Sequence, residues 1–216
     1  MSPLNEKVNH FTLAEEIWHA VTHGIGFIFS IAALALLVSF ATLSGSALHI
    51  TAAAIYGASL IVMYGSSTLY HALTHIKAKQ LFQKFDHSAI YFLIAGTYTP
   101  ILLITIGGTW GWTLFGIEWF IAIVGIALKF IYPGRFEVLS LVAYVVMGWL
   151  IVFIFDLFKT NIDPVGFWLI VSGGIAYTGG IIFYVKDKIP YFHAIWHLFV
   201  MLGSILQFFA ILLYVV

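Results

Sequence analysis

The sequence predicts an all-α polytopic membrane protein, a bundle of seven transmembrane helices with its N-terminus in the cytoplasm and its C-terminus outside. Three observations predict it. Of 216 residues, 62% are hydrophobic and only 8% charged, whereas a soluble protein carries about 25% charged residues, so these cannot cover a globular surface. The apolar residues gather into seven runs, each near the length of about 20 residues that a helix needs to cross a hydrocarbon core about 30 Å thick. The cationic residues fall almost entirely on one side of those runs.

The runs cover residues 22–43, 48–70, 87–106, 112–132, 136–158, 165–185 and 192–214, and residues 1–216 read as one membrane domain with no stretch left for a soluble one. Thr12-Leu13-Ala14-Glu15 has the spacing of a capping box, which predicts a helix from about residue 13 running into the first span. Ser44-Gly45-Ser46 ends that span, Gly107-Gly108 the third and Pro133-Gly134 the fourth; the segment from Asn161 to Pro164 precedes the sixth, and Pro190 the seventh. All are turn or helix-boundary residues. The first run follows an acidic rather than a basic segment and leads directly into a second, which argues against a signal peptide. Pro100, inside span three, leaves the carbonyl of Gly96 without its helical partner and predicts a kink. In span six Ser172, Ala176 and Gly180 form a small-residue stripe that lets a neighbouring helix approach.

Orientation follows from the cations. Lys7, Lys77, Lys79, Lys84, Lys129, Arg135, Lys186 and Lys188 lie on the side of the N-terminus and only Lys159 on the other, which places the N-terminus in the cytoplasm of a multi-pass protein of the cell (inner or plasma) membrane. A six-span reading that drops span four would put flanking charges on conflicting sides. Nine cations balance nine anions, so nothing suggests a nucleic-acid partner or a soluble one. The chain has no cysteine, which removes disulfides and thiolate ligands together.

Polar groups retained in a membrane usually face the bundle interior and have work there. Glu16, His19 and His23 fall at the start of span one, Ser67, His71 and His75 at the end of span two, Asp86 and His87 at the start of span three, and His193 and His197 at the start of span seven. With the orientation above, all of these ends are cytoplasmic. His193 and His197 are separated by four residues and leave one face of their helix, as helices that offer two imidazoles to one metal do. Ser67 and His71 have the same spacing. Glu16, His19 and His23 share a face within about 60° on a wheel of 100° per residue.

Each group also has an ordinary structural explanation. Histidines suit headgroup level, Ser67 can bond back to its own helix, and Asp86 can cap span three at its N-terminal end. Taken together, those explanations leave unaccounted why four segments bring potential ligands to one depth. Glu118, the carboxylate well inside a span, has no evident partner and is expected to snorkel or to bond locally; proton or ion transport is the weaker alternative it raises.

The segments Glu16-Ile-Trp-His-Ala-Val-Thr-His23-Gly-Ile-Gly, Ser67-Thr-Leu-Tyr-His71, Asp86-His-Ser-Ala-Ile-Tyr91 and His193-Ala-Ile-Trp-His197 resemble, as an ordered set, the motifs of the hemolysin III family, the bacterial branch of the progestin and adipoQ receptor superfamily. The resemblance extends over essentially all seven spans. It implies a zinc ion held by His71, His193 and His197 inside the cytoplasmic leaflet, with Asp86 holding the water beside it and Ser67 just behind the ligands. One departure is visible: much of the family has Asn where this sequence has His19. His19 or His23 is therefore a further or competing ligand, and Glu16 a candidate to fix an imidazole tautomer.

Three imidazoles and a water make the open arrangement of a catalytic zinc site. The leading expectation is a zinc-dependent hydrolase of lipid amides or esters, similar to the ceramidase-like activity proposed for the superfamily, with Asp86 and Ser67 as catalytic residues and membrane lipids as partners and substrates. Self-association is left open. The alternatives are a membrane or lipid sensor or receptor whose zinc is structural, and the pore-forming cytolysin that the family's name implies. A water-soluble secreted pore former needs more polar surface than 8% charge supplies.

Overall fold

The computed structural model describes residues 11–43 and 45–216; Lys7 and Ser44, cited above for orientation and for the first turn, lie outside them. Among the described residues, seven helices are long and apolar enough to cross a membrane: α1 Leu13–Leu43, α2 Ala47–Ala72, α3 Ile76–Ile106, α4 Gly108–Ile131, α5 Glu137–Asn161, α6 Pro164–Val185 and α7 Phe192–Tyr214. No strand occurs among the described residues. Large apolar side chains such as Phe29, Phe120, Phe153 and Trp168 are exposed around the outside, the surface a bilayer requires.

The capping box forms as its spacing predicts. Thr12 donates to the Glu15 carboxylate from its backbone N–H at 2.9 Å and from its hydroxyl at 2.7 Å, and Glu15 N–H donates to Thr12 Oγ1 at 3.3 Å. At 31 residues, α1 is about 46 Å long, well beyond the hydrocarbon thickness of about 30 Å. Its first turns therefore belong to the polar end of the bundle. Similarly, α3 starts at Ile76 rather than near residue 87, because the amphipathic segment around Lys79 and Gln83 is already helical. Asp86 thus sits inside a helix, ten residues past the start, and does not cap it.

α1 packs on α2 and α7, α2 on α3, α3 on α4 and α5, and α6 on α7. α3 is the most enclosed, with 67% of its most apolar window buried against 22% for α1. Beyond Pro100 it widens into a π-helix over Ile101–Ile106, where Gly107 N–H donates to the Leu102 carbonyl at 2.9 Å, five residues back. The disturbance expected at Pro100 thus takes the form of a wider helix.

α5 is also irregular. After Gly148 it tightens into a 3₁₀ segment, Leu150–Ile154. The Tyr98 hydroxyl on α3 mends the break, donating to the Gly148 carbonyl at 2.9 Å and accepting from Ile151 N–H at 3.2 Å.

Two expectations are corrected. The face of α6 turned to α7 carries Gly173, Ala176 and Gly180, while Ser172 is exposed. Steps of three and four residues follow a 3.6-residue helix, whereas two successive steps of four drift off the face. Glu118 does not snorkel. It is 0% exposed in the middle of the buried stripe Leu114, Glu118, Ala122, and neither carboxylate oxygen has a hydrogen-bond partner among the described residues.

α1 and α2 approach closely at Gly57, where an added Cβ would lie 2.8 Å from the Leu34 Cα; at Gly116 it would meet nothing within 4 Å. Gly57→Val is expected to destabilise the bundle by about 1–3 kcal/mol, and Gly116→Ala to leave it unchanged or raise it by up to about 1 kcal/mol. Unfolding of the purified protein in detergent checks both; equal effects at the two positions would contradict the packing.

Candidate metal centre

The candidate ligands meet at the end of the bundle where α1 begins and α2 ends. His71 projects from the last turn of α2, and His193 and His197 from the first turns of α7. One ligand nitrogen from each lies within 4.8 Å of those of the other two. A second group, Glu16, His19 and His71, meets the same limit and shares His71. The His23 ring stacks on that of His197, with centroids 3.5 Å apart and planes 9° from parallel. Five imidazoles thus form one cluster, in which His19, His23, His71 and His197 are almost wholly buried.

Neighbouring groups set the tautomers. His71 Nδ1 lies 2.7 Å from Glu16 Oε2, while the other Glu16 oxygen lies 2.8 Å from Lys79 Nζ. Lys79 is itself buried and also donates to the Tyr70 carbonyl at 3.0 Å. A carboxylate paired with an ammonium accepts the Nδ1 proton of His71, which leaves Nε2 for a ligand role, and that nitrogen has no hydrogen-bond partner among the described residues. At His197, Nδ1 lies 3.1 Å from the Thr22 hydroxyl. The single hydroxyl proton of Thr22 is directed to the carbonyls of Trp18 and His19, at 2.8 and 3.0 Å. Thr22 therefore accepts from His197 Nδ1, and Nε2 again is left for a ligand role. A buried set of neutral nitrogens oriented in this way suits a divalent cation.

Phe11 lies against the cluster. The Phe11 ring lies edge-on to His19 at 4.7 Å and tilted against His193 at 4.9 Å. Glu15 Oε1 accepts from Tyr191 N–H at 3.0 Å, which ties the start of α1 to the turn before α7.

Asp86 lies outside both ligand-distance groups. Its buried carboxylate sits beside the Ser67 hydroxyl, one turn from His71, without close hydrogen-bond geometry between the two. His75 is exposed at the N-cap of α3, where its ring accepts from Ala78 N–H at 3.4 Å. His87 Nδ1 lies 3.9 Å from Glu137 Oε2. Neither His75 nor His87 is part of the cluster. Sequence reasoning missed Lys79, which it treated as a topological charge, and also Thr22 and Phe11. A lysine at this register of an amphipathic turn was the available signal; Thr22 and Phe11 carried none.

The haemolysin-III-related family model matches residues 11–208. The chain is 47% identical to the hemolysin-3 of Bacillus cereus over 98% of each chain. It is 48% identical to a hemolysin-3 homolog of Bacillus subtilis over 95% of this chain and 97% of that protein. A human relative, monocyte to macrophage differentiation factor, is 31% identical over 73% of this chain and 67% of its own length. The chain belongs to the haemolysin III family, with distant relatives in the progestin and adipoQ receptor family, and is a multi-pass protein of the cell membrane.

If Glu16 orients His71, then Glu16→Ala is expected to weaken binding of cobalt(II) about 10–100-fold, while His75→Ala leaves it unchanged. Titration of the metal-free purified protein with cobalt(II), followed by absorption, checks the pair.

Proposed function

We propose that the protein is a zinc-dependent hydrolase of lipid amides or esters, with its site in the cytoplasmic leaflet and its consequence in membrane lipid homeostasis. The observation that carries this reading is the convergence of His71, His193 and His197, with Ser67, one helical turn before His71, neighbouring the buried Asp86. Nitrogen ligands with an Asp nearby and no thiolate suit zinc among the common divalent ions. When bound, zinc supplies Lewis acidity and makes water a nucleophile near neutral pH.

The chain's own residues supply the rest. Glu16 and Thr22 keep the rings of His71 and His197 in their ligating tautomers. Asp86 accepts a proton from the attacking water and returns it to the leaving amine or alkoxide. Ser67, one turn from His71 on the same helix, orients the reacting carbonyl. An apolar cavity between α3, α5, α6 and α7, lined by Leu93, Tyr98, Ile170, Tyr177, Tyr184 and Trp196, gives an acyl chain a place to lie. The Tyr184 ring is 6.4 Å from that of His193, so the cavity begins next to the ligands.

A second reading, a sensor or receptor in which the metal braces α2 and α7, is favoured by the depth of the cluster and by Phe11 lying against it. The word hemolysin in the relatives' names does not carry over to this chain as a secreted pore former, since its composition leaves too little polar surface for a soluble state.

Wild-type protein reconstituted with zinc in liposomes of N-acyl amide and ester lipids is expected to release free fatty acid. Asp86→Asn is expected to keep the zinc and lose at least about 100-fold in turnover, and His71→Ala to lose the zinc. No release by zinc-loaded wild type defeats the proposal; full activity in Asp86→Asn favours the brace.

A further inference from the structure

Four of the clustered rings stand in a regular arrangement. The centroid distances are 4.6 Å for His19–His71, 4.8 Å for His19–His193 and 5.3 Å for His19–His197. They are 5.3 Å for His71–His193, 5.2 Å for His71–His197 and 4.8 Å for His193–His197. Six nearly equal edges define a tetrahedron. With metal–nitrogen bonds of about 2.0–2.1 Å, an imidazole centroid stands about 3.2 Å from the ion, and two centroids at a tetrahedral angle are about 5.2 Å apart. The edges observed are those that four imidazoles around one ion would give.

We infer that His19 is a fourth imidazole ligand, which closes the position that a three-histidine site leaves to water. The inference rests on the reading that His71, His193 and His197 hold a cation, and adds a control to that site. His19 is 0% exposed, and its ligand nitrogen already lies within 4.8 Å of that of His71 in the group they form with Glu16. His19 is not within that limit of all three other rings, so the inference requires its ring to turn about χ2 and bring a nitrogen toward the common centre. The resting site is then a closed cage, and water reaches the ion only when His19 withdraws. Phe11, edge-on against the His19 ring, has to move with it. Replacing His19 with a shorter amide leaves three imidazoles and a permanently open position.

The test uses the full chain in detergent, loaded with cobalt(II), with azide as the probe of an open position. Wild type is expected to bind one ion per chain and to keep its visible spectrum when azide is added. His19→Asn and His19→Gln are expected to change spectrum with azide and to lose cobalt to a chelator at least about tenfold faster. X-ray absorption of the zinc-loaded wild type, which needs no variant, is expected to fit four imidazoles rather than three and an oxygen. Azide sensitivity equal in wild type and variants overturns the inference while leaving the three-histidine centre in place. So do two ions per wild-type chain with one lost in His19→Asn, because His19 and Glu16 would then serve a second ion. Absence of any tightly held ion in wild type sinks the metal reading, and the inference with it.

Discussion

A packed bundle closed to water offers a buried polar group no partner but the protein's own, and leaving one unpaired costs free energy. The Glu16 carboxylate finds its partners at the point where the helices of the candidate metal centre join. It stands between the Lys79 ammonium and the His71 ring, 2.8 and 2.7 Å away, and so joins α1 to α3 by an ion pair and to α2 by a hydrogen bond. Glu15, its neighbour in sequence, reaches to the backbone before α7. Two adjacent acidic residues on the first turn of one helix thereby fix the relative position of the four helices that surround the cluster.

The architecture was legible because hydrophobic length and turn chemistry are local properties. Seven runs, a capping box and the boundary prolines are all visible without tertiary knowledge, and each has its counterpart in the helices. Helix starts were less legible. α1 and α3 begin well before their apolar runs, because an amphipathic turn can be helical without being hydrophobic. The shift moves Asp86 from an expected helix end to a helix interior. The depth of the histidines was legible for the same reason, since helical spacing fixes which residues share a face. Helix-to-helix contacts were not. Nothing local says that Lys79 folds inward onto Glu16 rather than outward to headgroups, or that the Thr22 hydroxyl, bonded to its own helix, also serves a ring 175 residues away. Glu118 is the opposite case. Its place in the stripe with Leu114 and Ala122 was readable from the helical period, but a lone carboxylate is more easily imagined near water than sealed from it.

The hydrolase and brace readings assign the same ligands and differ in how the ion's last position is used. An open position served by a carboxylate would support chemistry, whereas a fourth ring would store the ion. Residue 19 is where the two proposed readings meet, because on the inference above a single side chain there would decide between a reactive centre and a sealed one. Evolutionary change at that position would alter reactivity without disturbing the helices, since His71, His193 and His197 keep their supports.

The interruption in α5 bears on how the chain is assembled. A span whose ladder breaks beside Gly148 exposes a carbonyl and an amide to lipid unless the Tyr98 hydroxyl is already present. The two halves of α5 cannot settle as an autonomous rod, as most inserted segments do. The segment is completed by its docking on α3, so the central helix supplies the polar contact that a neighbouring span lacks within itself.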